Sequence, residues 1–210
     1  MGYLLDHILE SNAKRARRTF FSFHYQPDNQ RAQVVKQSWV TKPDRAAAGF
    51  FDSSAFETKK RPNDVLKAFL NEQLKGTSVT CVLIGAETAL RPWVRYELVR
   101  SFYRGNGLFG VRVHGIRNFA QQLGNPGSNP FDMLAYSVVN DRVYWKEMNN
   151  GAWSNYVEVP SMALSDVSYD LNQEHNHTFA CRFPIYDWVA NKGSDNLGTW
   201  IDRAAQQAGK

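Results

Sequence analysis

The stretch Thr77-Ser-Val-Thr-Cys-Val-Leu-Ile84, closed by Gly85, is the strongest constraint on what this chain can fold into. An unbroken, β-branched apolar run of this kind suits a parallel strand covered on both faces. Its flanks agree. Upstream, Asn63 or Asp64 can cap a helix whose Val65, Leu66, Phe69, Leu70 and Leu74 form one apolar stripe, and Gly76 stands where a helix C-terminus wants a left-handed residue. Downstream, Pro92 fits the first turn of a helix from Trp93 to Phe102, which places Val94, Leu98 and Phe102 on one side and Trp93, Glu97 and Arg100 on another. Leu108 to His114 reads as the next strand.

The same alternation begins earlier. Thr19-Phe-Phe-Ser-Phe-His24 predicts a buried strand, and Val34, Val35 and Trp39 recur at helical spacing within Gln30 to Val40. Ala46 to Phe51 predicts a brief second strand, and the polar residues 52–63, broken by Pro62, predict a loop long enough to move. The order βαβαβαβ through residue 118 implies an α/β fold, a mainly parallel sheet flanked by helices with right-handed crossovers. Beyond it, Asn125-Pro-Gly-Ser-Asn-Pro130 is turn chemistry, and strand-like segments Ala135 to Trp145 and Trp153 to Val159 flank an Asn149-Asn-Gly151 turn, as in an appended hairpin. Ser194 or Asp195 can cap a closing helix that repeats Leu197, Trp200, Ile201, Ala204 and Ala205 and packs back on the sheet. At the other end, Leu4, Leu5, Ile8 and Leu9 predict a short amphipathic helix leading into the basic run Lys14, Arg15, Arg17, Arg18. The expected organisation is an N-terminal helix and linker over 1–18 and one domain over 19–210, with its core at 19–118 and a C-terminal extension at 119–210.

Composition narrows the function classes. A net charge of +5 in 210 residues favours an anionic partner, but charged residues are only 21% of the chain and both signs are mixed, so a nucleotide phosphate satisfies the bias as well as nucleic acid does. The run at 14–18 lacks interleaved aromatics and reads as a solvated linker, so nucleic acid is not an expected partner. Cys81 and Cys181 form no disulfide or metal-ligand pattern, and no apolar stretch resembles a signal peptide or a membrane span, so a cytoplasmic protein without a membrane role is expected.

Several motifs dissolve on inspection. Gly105-Asn-Gly107-Leu-Phe-Gly110 has the letters of a dinucleotide fingerprint, but its glycines follow a helix and open a strand, whereas that motif follows a strand and opens a helix. His175-x-His177 lacks a third ligand at suitable spacing, so no metal is expected. Phosphate loops, nucleophile elbows and a receiver-type acidic pair at the first strand are absent. What remains is position: open α/β sheets bind ligands outside the carboxyl ends of their strands, where the sequence places Ser22, Phe23, His24, Tyr25, Asp52, Trp93 and Glu97. Aromatic rings beside one carboxylate suit a flat cationic heterocycle on a ribose, with the rings stacking and the carboxylate holding hydroxyls. A solvated helix carboxylate beside Arg95 or Arg100 is the plain alternative for Glu97.

Three stretches resemble the TIR-like, ThsB-like proteins of the Thoeris antiphage defence system: Phe20-Phe-Ser-Phe-His-Tyr25; Val82-Leu-Ile-Gly85 with Thr88, Arg91, Trp93, Val94 and Tyr96-Glu97; and Gly110-Val-Arg-Val-His114-Gly-Ile116. Tyr186-Asp-Trp188 and the closing helix extend the likeness. The resemblance implies a flavodoxin-like TIR fold in which Trp93-Val-Arg-Tyr-Glu97 is the WxxxE motif and Glu97 the catalytic carboxylate. It implies cleavage of the nicotinamide glycosidic bond of NAD+, the substrate rather than a bound cofactor, and release of an ADP-ribose-derived, cyclic signal that activates a ThsA-like effector protein. It further implies a phage-derived trigger, and a homo-oligomer in which the loop at 52–63 reaches a neighbouring copy. A non-catalytic TIR scaffold is the rival expectation.

Overall fold

The computed structural model describes residues 17–41, 51–52, 63–171 and 177–210, so the N-terminal helix expected at 3–12, Lys14 and Arg15 of the basic run, all but the last residue of the strand expected over 46–51, all but the two ends of the loop expected over 52–63, and His175 lie outside the described residues. Five parallel strands form the main sheet. They are β1 (Thr19–Ser22), β2 (Phe51–Asp52), β3 (Val79–Ile84), β4 (Gly107–Arg112) and, after a long excursion, a strand at Ile185–Asp187; the order across the sheet is β2, β1, β3, β4 and then that last strand. Parallel registers such as Phe21 beside Cys81 and Cys81 beside Phe109 align their carboxyl ends along one edge. With its last strand taken as the fifth, this is the doubly-wound order 2-1-3-4-5, whose reversal point lies between β1 and β3.

Period-two alternation sorts the strand residues into two cores. Phe20, Val82, Ile84 and Leu108 face α2 (Asn63–Leu74) and α3 (Pro92–Tyr103), meeting Leu66, Leu70, Leu74, Val94, Leu98 and Phe102. Phe21, Cys81, Leu83, Phe109 and Val111 face the opposite layer, α1 (Tyr25–Val40) and α4 (Gly193–Gln207), meeting Val35, Trp39, Leu197, Trp200 and Ile201. All six residues of β3 are buried, as its apolar run predicts. α1 begins earlier than the period from Gln30 suggests, and Val34 is exposed while Ala32, Val35 and Trp39 form the buried stripe. α4 starts at Gly193, not Ser194 or Asp195, because Lys192 in the left-handed region turns the chain into it and a side chain at 193 would meet the Trp188 indole.

Residues 119–210, expected as an extension, divide into an insertion and the final strand-helix unit of the main sheet. The insertion builds a second, antiparallel sheet from β5 (Leu134–Val139), β6 (Arg142–Asn149), β7 (Ala152–Asn155), β8 (Met162–Ala163) and β9 (His177–Thr178) before β10 (Ile185–Asp187) rejoins the first. The segment read as one strand over 135–145 is two: Asn140 and Asp141 both take positive φ and make a two-residue hairpin turn between β5 and β6. Asn150 and Gly151 do the same between β6 and β7, at the turn expected there.

The insertion covers the outer side of α3. Phe102 is ringed by Tyr136, Trp145, Tyr169, Phe179 and Phe183, with centroids 4.8 to 5.9 Å away. Further up the helix, Arg95 Nη1 donates to Glu147 Oε2 and to Asn149 Oδ1, each at 3.0 Å. The helix is therefore clamped between two sheets, and Tyr96, Glu97, Leu98, Val99 and Ser101 are all buried.

Candidate active site

The site forms at the reversal point, where β1 and β3 end side by side. β1 is extended through His24, so Ser22 and His24, two residues apart, face the α2–α3 side together with Phe20. β3 ends at Ile84, and the turn to α3 is fixed by Thr88, whose Oγ1 accepts from the Gly85 N–H at 2.9 Å. Gly85 is required there: a side chain would meet the Asp28 carboxylate at 2.0 Å. The loop after β4 packs against the same turn at Gly127, where a side chain would meet the Gly85 carbonyl, and is held to α1 by Arg31 Nε donating to the Ile116 carbonyl at 2.9 Å and to β4 by Arg112 Nη1 donating to the Gly127 carbonyl at 2.7 Å.

Pro92 opens α3 and carries the chain to Glu97, one and a half turns on. Glu97 is only 1% exposed, which settles its placement against a solvated carboxylate; Arg95 turns to Glu147, and Arg100 Nε donates to Asn71 Oδ1 at 2.7 Å. Its Oε2 accepts from the fully buried Ser22 hydroxyl at 2.5 Å, at the short end of hydroxyl-to-carboxylate bonds. A carboxylate buried on a sheet's ligand-facing edge and held by a serine from the neighbouring strand is fixed in direction, and it can stabilise positive charge without reorganising.

The mouth of the site carries a second group of charges. His24 is 7% exposed, and its Nδ1 lies 3.7 Å from Glu87 Oε2. The same carboxylate oxygen is paired with Arg91 Nη2. Burial lowers the His24 pKa, the nearby Arg91 charge lowers it further, and Glu87 opposes both, so the imidazole is held neutral below its ordinary range.

The other residues expected at the site are placed differently. Phe23 is buried in the opposite core with Phe21 and Trp39, because one step along an extended strand reverses the face; Tyr25 opens α1 and packs against that same core. Trp93 shares a helix with Glu97 but not a cleft. Long side chains on a helix lean toward its N-terminus, and the indole packs edge-on to Tyr96 at 6.0 Å, lining a separate cavity of about 340 Å³ with Arg95, Glu147, Asn149 and Tyr156. Asp52 ends β2 with its backbone beside Phe21. The structure thus brings together Ser22, His24 and Glu97, and adds Glu87, absent from the sequence reading, and Arg91, which enters that reading only as part of the family likeness. Their signal was their place: both lie in the short link between β3 and the WxxxE helix. Among the described residues there is no cluster of metal ligands.

A family model described as Thoeris protein ThsB, TIR-like domain, matches residues 20–118, the stretch that supplies β1 to β4 and Glu97. The protein named "Putative cyclic ADP-D-ribose synthase ThsB1" from Bacillus cereus (strain MSX-D12) is 36% identical over 191 residues, which span 89% of this chain and 100% of that relative.

Proposed function

The chain belongs to the ThsB TIR-like family of Thoeris proteins, and on that premise we propose that it cleaves NAD+ and makes a cyclic ADP-ribose signal in antiphage defence. The observation that carries the reading is the Glu97 carboxylate, buried at the carboxyl edge between β1 and β3 and held by Ser22. Breaking the ribosyl C1′–N bond sends its electron pair to nicotinamide, which leaves neutral, and puts positive charge on C1′ and the ring oxygen. Glu97 stabilises that charge more than it stabilises the bound substrate, which is what lowers the barrier. A nucleophile on the adenosine half then attacks C1′ and closes the ring; attack by water, with loss of its proton, gives linear ADP-ribose. A site shielded from water favours closure over hydrolysis.

The remaining parts of the reading are an effector of the ThsA type that responds to the product, a phage-derived trigger, and assembly of copies on activation. No helix of the described residues is long and apolar enough to cross a membrane. The test is mass spectrometry of NAD+ incubated with concentrated protein, with and without lysate of infected cells, beside Glu97→Gln. Nicotinamide release with a product of cyclic ADP-ribose mass is expected, and Glu97→Gln should lower kcat by about 10²- to 10³-fold. A folded protein that releases no nicotinamide under any of these conditions would establish the scaffold reading instead.

A further inference from the structure

We infer that Arg91 and His24 form the subsite for the pyrophosphate of the dinucleotide, which displaces the Glu87 carboxylate from between them; the inference rests on the NAD+ reading above. The arrangement within the protein is incomplete as it stands. His24 is buried, yet its Nδ1 makes no hydrogen bond among the described residues, and the nearest carboxylate oxygen, Glu87 Oε2 at 3.7 Å, is beyond hydrogen-bond reach. Arg91 directs one of its five N–H groups at that same oxygen, and its buried Nε makes no hydrogen bond among the described residues. One monodentate carboxylate therefore stands between two donors with capacity to spare.

Glu87 is also easily displaced. Its side chain is 51% exposed, and its pairing with Arg91 is a four-residue spacing at the surface, an arrangement that holds weakly. A pyrophosphate brings more charge and several oxygens, which matches the forked geometry of a guanidinium. The position fits as well. Arg91 is the N-cap of α3, at the positive end of the helix, and Glu97 lies six residues on, about 9 Å along the axis at 1.5 Å per residue. Ser22 and His24 mark out the same inward-to-outward direction on the extended end of β1. A dinucleotide whose ribosyl carbon reaches Glu97 has one sugar and a methylene between that carbon and its phosphates, which sets the phosphates at the mouth.

The test is calorimetric titration of inorganic pyrophosphate and of ADP-ribose into the wild type, Glu87→Gln, Arg91→Gln and Arg91→Lys, with thermal melting as the control for folding. Arg91→Gln should weaken pyrophosphate binding about tenfold or more, as loss of charge-assisted hydrogen bonds does. Arg91→Lys should fall between it and the wild type, and Glu87→Gln should tighten binding about twofold or more. With NAD+, Arg91→Gln should raise KM while kcat stays within about twofold, a loss of uniform binding. No pyrophosphate binding by the wild type, equal affinities in folded wild type and Arg91→Gln, or looser binding by Glu87→Gln would overturn the subsite. Turnover with an unchanged KM in Arg91→Gln removes the subsite and leaves the cleavage reading intact. Pyrophosphate bound through Arg91 by a protein that never releases nicotinamide does the reverse.

Discussion

At Ser22 a buried hydroxyl holds one oxygen of the Glu97 carboxylate. Ser22→Ala keeps the volume and removes the donor, leaving a buried carboxylate oxygen without that bond, a loss of about 1–3 kcal/mol. Turnover of NAD+ should fall about tenfold or more while the chain still melts cooperatively; an unchanged kcat would mean that the bond positions nothing. His24 governs a different property. Its depressed pKa means that the unfolded chain takes up a proton near the ordinary value of about 6.5 while the folded site resists it. The stability it contributes is present above that pH and is lost as pH falls through the depressed value. Urea midpoints at pH 7.5 and 5.5 should therefore differ more for the wild type than for His24→Asn, with Arg91 and Glu87 the charges facing the imidazole in both. Ser22 and His24 were legible in the sequence because they close an aromatic strand; Phe23 and Tyr25 were read beside them only because position along a chain does not reveal which face a residue takes.

Periodicity predicts the extent of α3 but not its surroundings. Pro92 and the Val94, Leu98, Phe102 stripe define α3, but nothing within those residues says that the helix is also covered on its outer side, where Tyr136, Trp145, Phe179 and Phe183, far along the chain, close around Phe102. The same distance hid the cavity that the Trp93 indole lines, whose other wall comes from β6 and Tyr156. The split of β5 from β6 did have a local signal, the adjacent Asn140 and Asp141, which tolerate the left-handed region better than other non-glycine residues. Phe102→Ala should cost about 3–5 kcal/mol, the usual range for a buried aromatic, because five rings lose a common neighbour. Chemical denaturation measures that cost. The near-ultraviolet dichroism of the aromatic cluster should weaken with it.

Over the whole molecule, the parallel sheet and its two helical layers were legible from alternation alone, whereas the interruption of the sheet between β4 and β10 was not, because strands brought together from distant segments leave no local pattern. The consequence for design is direct. A chain in which a short linker replaces residues 119–184 keeps all five parallel strands but strips the outer face of α3, exposing Phe102 and the ring of contacts around it. Such a chain should aggregate or melt without cooperativity, and a soluble, cooperatively melting product would show that the insertion is dispensable. The interruption also sets a schedule. A nascent chain emerges at about 5–20 residues per second, and the rings that cover the outer side of α3 run as late as Phe179 and Phe183, so the Glu97 helix lacks its full cover until synthesis is nearly over. A ribosome that stalls or a message cut short inside the insertion leaves behind a fragment that holds Ser22 and Glu97 but lacks the rings packed over α3, so on the proposed function such incomplete copies should release no nicotinamide from NAD+.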